Sequence, residues 1–170
     1  MSILSWFRKK ETIQDVEGLQ DYPLILSALR VKEIIVESCS GNVFLPDKIL
    51  VDKNYVCPSR EWVKKYYKWY LDICWKMELK WKPDYDCDDF ARLAAAYAQI
   101  SHYTTEWKGP GVKPEGLAFG EYFYVRENGS AHAINLILVE QAQPLWWEPQ
   151  TGRELKLTRK EIESCFYVRF

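Results

Sequence analysis

The chain has 170 residues, 48% apolar and 15% aromatic, with a formal net charge of −1. That length supports one domain with a sizeable core, and the composition excludes a disordered chain. Near-neutral charge gives no case for nucleic-acid binding, and no apolar run reaches the ~20 residues a membrane-spanning helix needs.

In residues 1–20, Trp6 and Phe7 stand beside Arg8, Lys9 and Lys10. The charges follow a very short apolar stretch, the wrong order for a secretory signal, so the segment reads as a terminal arm. The five cysteines (Cys39, Cys57, Cys74, Cys87, Cys165) are odd in number and lack zinc spacing. They imply reduced thiols and a cytoplasmic, reducing location. Pro23–Arg30 is expected to be a short helix, Lys32–Glu37 a β-branched strand, Gly41-Asn42 a turn and residues 46–48 a loop. Residues 1–54 are read as an arm with packing elements, and 55–170 as the core of a single domain.

Ser59 and Glu61 open a long helix as cap and dipole complement. Trp62, Tyr66, Trp69, Ile73 and Met77 recur at spacings of three and four, an aromatic stripe that reads as core. After the breaker Pro83, Asp86 caps a second helix that begins at Cys87, with Phe90, Leu93, Ala94, Tyr97 and Ala98 as its buried face and its end near residues 100–102. Residues 107–114 form a breaker-rich loop. Strands follow at 121–127, 130–140, 144–149, 153–157 and 166–170, with turns at Asn128-Gly129 and Thr151-Gly152. Thr158 and Glu161 make a capping box for a short helix. Helices first and an antiparallel sheet afterwards predict an α+β fold.

Chemistry concentrates at three points. A thiol at a helix start is favoured as thiolate by the dipole, while the neighbouring Asp84, Asp86, Asp88 and Asp89 oppose it, so Cys87 needs a cationic partner. Of the two histidines, His102 ends the same helix roughly 20 Å away at ~1.5 Å per residue. His132 directly follows a hairpin turn; taken alone it reads as a core histidine. Glu148, between Trp147 and Pro149, falls opposite His132 if the hairpin centres on Glu140, and is a candidate to orient the imidazole. Taken alone it reads as a strand-end glutamate.

The sequences Asp86-Cys87-Asp88-Asp89-Phe90-Ala91, Ala131-His132-Ala133-Ile134-Asn135 and Trp147-Glu148-Pro149 together resemble the papain-like and transglutaminase-like cysteine hydrolase superfamily. The likeness is nearest to the cysteine-protease domain of a mushroom agglutinin and covers residues 55–170. It implies a papain-like/transglutaminase core with a helical N-terminal part and the nucleophile's helix packed on an antiparallel sheet. It implies Cys87 as nucleophile, His132 as base and Glu148 as orienter in a thiol protease acting on a peptide or isopeptide. Trp81 is the oxyanion candidate, read otherwise as a packed aromatic. No cofactor is expected beyond a calcium ion at Asp88 and Asp89, which the resemblance raises. The alternatives are transglutaminase-like acyl transfer, and a non-catalytic structural or interaction protein that retains the fold.

Overall fold

The computed structural model describes residues 24–38, 50, 52–107 and 111–170. The terminal arm, Cys39, the Gly41-Asn42 turn and the 46–48 loop lie outside them. The first described elements reverse the expectation: Leu24–Ser27 is strand β1 and Ala28–Ser38 is helix α1. Val31, Ile34 and Ile35 sit at i, i+3 and i+4 and are all buried. That shared helical face outweighs the strand preference of the β-branched run. Ser27 Oγ accepts the Arg30 amide at 3.3 Å at the helix start.

β1 pairs antiparallel with β2 (Asn54–Cys57), which pairs in parallel with β3 (Gly116–Leu117). The sequence reading missed β2 and β3. Tyr55, Val56 and Cys57 are all buried, so β2 shows no alternation.

Helix α2 (Arg60–Lys76) starts where expected, with Ser59 accepting the Trp62 amide. The Arg60 amide donates to Glu140 Oε1 at 2.8 Å, tying the helix start to a distant turn. Trp62, Val63, Tyr66, Tyr67, Tyr70, Ile73 and Cys74 are buried, whereas Met77 is 37% exposed. The tyrosines keep their hydroxyls satisfied. Tyr66 donates to the Ala94 carbonyl and Tyr70 to that of Phe90, both in helix α3 (Cys87–Thr104).

The principal sheet has five strands in the order β7-β6-β5-β4-β8, every pair antiparallel. These are β4 (Phe119–Val125), β5 (Ala131–Val139), β6 (Gln143–Glu148), β7 (Arg153–Leu155) and β8 (Tyr167–Arg169); helix α4 (Arg159–Glu163) precedes β8. Strand alternation sends Phe119, Ile137, Val139, Leu145 and Trp147 into a core with α2 and α3. The other face carries Tyr122, Tyr124, Ile134, Leu136 and Leu138, packed with α1, Cys165 and Val168. The sheet is therefore covered on both sides.

β5 and β6 are joined by a 3-10 turn, Glu140–Ala142, in which Gln141 and Ala142 take φ of 64° and 59°. This turn moves the hairpin centre. Asn135 pairs with Trp147, and continuing that register puts Glu148 level with Ile134 instead of His132.

The expected fold class, an α+β papain-like/transglutaminase core with a helical N-terminal part, is corrected. The described N-terminal part contributes β1 and β2 of a separate mixed sheet, and the centre is a five-stranded antiparallel sheet. Among the described residues no helix is long and apolar enough to cross a membrane.

Candidate functional site

Asp86 makes the capping box that starts α3: its side chain accepts the Asp88 amide at 3.2 Å, and its own amide donates to Asp89 Oδ2 at 3.2 Å. Cys87 is thus the first residue of a well-anchored helix, and its side chain is only partly buried.

The Ala133 backbone amide, next in sequence to His132, lies near enough to the Cys87 sulfur to draw its pKa down. The sheet's own pattern leaves that amide outside the β4–β5 ladder. The Phe123 carbonyl takes the Phe166 amide, so at the Phe123–Ala133 pair the backbone groups point away from one another. Ala133 therefore faces the β6 side, where the ladder's last pair is Asn135–Trp147.

His132 is 4% exposed, and its Nε2 lies 2.7 Å from Glu148 Oε2. The carboxylate fixes this ring nitrogen as the N–H donor. Glu148 Oε1 accepts the Gln150 amide at 3.2 Å, so both carboxylate oxygens are engaged. The shifted register does not separate the pair: Glu148 and His132 share a face and meet diagonally. The turn after Glu148 is seated on α2. Gly152, at φ 65°, lies so close to Leu71 that a Cβ there would meet its Cδ1 at 2.5 Å.

The electrostatics differ from the expectation of a thiolate. Burial raises the Cys87 thiol above its ordinary range, the Asp86 and Asp88 charges raise it further, and the backbone donors at Ala133 and Cys87 only partly offset them. A hydrogen bond between the Asp86 and Asp88 carboxyls lowers Asp86 and raises Asp88. Cys57, Cys74 and Cys165 are buried as thiols, and burial pushes Cys57 up to about 12.

His102 stands apart from this group. It is buried at the far end of α3 with Nε2 2.9 Å from the Pro114 carbonyl, and burial lowers its pKa. Trp81 is 61% exposed on the segment before α3.

Asp86, Asp88 and Asp89 bring carboxylate oxygens within 4.8 Å of one another. Two oxygens are spent on the capping box, and Arg92 takes Asp88 Oδ2 at 3.0 Å and Asp89 Oδ1 at 3.5 Å. Calcium takes about 6–8 oxygen ligands. Sequence reasoning missed Arg92 as the cation of this cluster, although its i+4 and i+3 spacing from Asp88 and Asp89 carries the signal. It also missed Asn135, whose side chain links β5 to both long helices.

The buried His132–Glu148 couple is a polar pair in the sheet, and the partly exposed Cys87 thiol stands at the start of the helix packed on that sheet. The fold has solved neighbours. It is shared with a solved structure of PSL1a in complex with E64, at TM-score 0.61 and 18% identity, covering 86% of this chain and 51% of that one. It is equally shared with the Polyporus squamosus lectin bound to the human-type influenza-binding epitope Neu5Aca2-6Galb1-4GlcNAc (TM-score 0.60, 18% identity, 86% and 50% coverage). The chain spans about half the length of these structures. No protein-family model and no curated protein matches it.

The likeness to a lectin overturns the resemblance read from the three motifs. The papain-like/transglutaminase-like assignment is corrected, and with it the cysteine-protease activity and the thiol-hydrolase class. Short motifs in the right order do not fix a family when the surrounding fold is shared with proteins of another name.

Proposed function

We propose that the protein is a ligand-binding module, a non-catalytic interaction protein, that receives a small polar ligand at the His132–Glu148 couple, with Cys87 at the start of α3 as a further contact. The observation that carries the reading is the buried His132–Glu148 couple at 2.7 Å. In this reading Glu148 fixes the ring, the ring presents its Nδ1 side to the ligand, and Cys87 contributes a neutral S–H contact. Trp81, 61% exposed, is an aromatic surface open to the same ligand.

The lectin fold supports ligand binding as the general activity. The particular ligands of the two solved structures, E64 and the sialylated trisaccharide, supply the probes. Each is titrated into isotope-labelled protein and into His132→Ala. The expected result is saturable movement of the Cys87, Ala133 and Gln150 amides by at least one probe, weakened at least tenfold by His132→Ala. Two results sink the proposal: neither probe moves those amides, or the wild type turns over a peptide or ester in a reaction that Cys87→Ala abolishes.

A further inference from the structure

We propose that Leu71 of α2 is a positioning residue for the His132–Glu148 couple: its side chain seats the turn after β6, and that turn aims the Glu148 carboxylate. The inference rests on the ligand-site reading above, since Leu71 serves the couple of that site. Glu148 ends β6, and the turn that follows grips it twice. Its carbonyl accepts the Gly152 amide at 2.8 Å, and its Oε1 accepts the Gln150 amide at 3.2 Å. With Oε1 engaged, Oε2 is the oxygen presented to His132 Nε2, at 2.7 Å. A glutamate side chain loses several rotamers when it is held, and the backbone donor at Gln150 selects the one that reaches the ring. Gln150 lies beyond the last ladder pair, Glu148–Arg153, so the turn and not the sheet fixes that donor.

α2 fixes the turn. A Cβ on Gly152 would meet Leu71 Cδ1 at 2.5 Å and Cγ at 3.4 Å, with Tyr67 Cβ at 3.8 Å, so only a glycine fits between the turn and the helix. Tyr67 and Leu71 are i and i+4 neighbours on one side of α2. Tyr67 also stacks on Trp147, with ring centroids 4.9 Å apart and planes 11° apart. α2 therefore holds both the residue before Glu148 and the residue that closes its turn. Glu148 itself points to the opposite face of the sheet from Trp147, so α2 acts on it only through these neighbours. The Gly152–Leu71 contact is the sensitive one. Close-packed atoms transmit small displacements. The Gln150–Glu148 bond, at 3.2 Å, already sits at the long end of the ~2.7–3.2 Å range for an N–H donor. A slight retreat of the turn breaks it and frees the carboxylate to rotate.

The test reads the Nε2–H proton of the His132 ring by NMR in the ligand-free protein, with Glu148→Gln marking its position once the carboxylate is gone. In Leu71→Ala the ring proton should move toward that mark and exchange with water about tenfold faster or more. Leu71→Met, which refills the seat, should return both readings to those of the wild type. Tyr66→Phe, which removes the hydroxyl contact from α2 to the Ala94 carbonyl of α3, should lower the melting temperature and leave the ring proton in place. A merely structural Leu71 predicts a lower melting temperature with the ring proton unmoved and its exchange unchanged, and that result overturns the proposal. If Leu71→Ala does not fold, Leu71→Val carries the test. It withdraws Cδ1, the atom nearest Gly152, so the ring proton should move part of the way, and no movement overturns the inference. The two readings fail separately. A ring proton that moves in a protein binding neither probe retains the seat and removes the ligand site; probe binding with the ring proton unmoved in Leu71→Ala does the reverse.

Discussion

The ionisation of Cys87 is the sharpest measurable consequence of the site. Burial and the charges of Asp86 and Asp88 raise the thiol, against the weaker pull of the Ala133 and Cys87 backbone donors. An ordinary thiol at ~8.5 is about 1% thiolate at pH 6.5, and a thiol paired with a histidinium at ~4 is almost wholly thiolate there. Cys87 belongs below the ordinary case. Alkylation by iodoacetamide tracks the thiolate, so the two states differ on the order of 100-fold in rate at pH 6.5. The assay is mass-resolved labelling of native protein from pH 5.5 to 10, with the Cys87 peptide quantified. The rate should be very slow below pH 7 and should climb only in the alkaline range. Asp88→Asn, which removes one of the two raising charges and spares the Asp86 cap, should shift the profile to lower pH. Rapid labelling at pH 6 that is lost in His132→Ala would refute the reasoning, since it requires an ion-paired thiolate.

Gly120→Ala should cost more than about 3 kcal/mol by thermal melting, because the new Cβ would meet the Arg169 carbonyl oxygen at 2.1 Å, a backbone atom that cannot swing aside. Glu121 is 5% exposed, and burial raises its carboxyl above the usual range despite Arg92 at 3.9 Å and Arg169 at 4.0 Å. A carboxyl raised in the folded state favours folding at low pH, and that contribution is lost as pH rises through the folded value. Glu121→Gln should therefore raise the melting temperature at pH 7 and gain less at pH 4; an equal change at both would refute the assignment. Millimolar calcium should leave the melting temperature unchanged, since Arg92 and the capping box already engage the Asp86–Asp89 carboxylates, and a rise would show that the cluster opens to accept the ion.

Features decided within a few residues were legible in the sequence. The caps at Ser59, Asp86 and Thr158 form where expected, because each needs only a short side chain and an amide two or three positions on. Features decided by distant partners were not. β1 and α1 exchange places because β1 is made by its pairing with β2, which no local pattern announces. The β5–β6 register turns on the positive φ of Gln141 and Ala142, residues whose type gives no warning of it. The convergence of His132 and Glu148 survived that error because a same-face diagonal is within reach of two long side chains. The family assignment failed for a different reason: a nucleophile-like trio of motifs occupies few positions, and the fold is determined by all the others.

The Asn135–Ala91 bond between β5 and α3 and the His132–Glu148 pair also set where the chain tolerates changes of length. A residue inserted between 87 and 91 would turn the helix start by about 100° and carry Cys87 around the helix axis while Asn135 still gripped the Ala91 carbonyl. A residue inserted between 133 and 135 would send His132 to the opposite face of the sheet, away from Glu148. Upstream, residues 78–84 are almost all exposed and connect α2 to the Asp86 cap outside any extended sheet. Lengthening that segment costs little, about 0.6 kcal/mol for each doubling of a flexible loop. Relatives of this chain should therefore vary in length before the cap and hold both short intervals fixed.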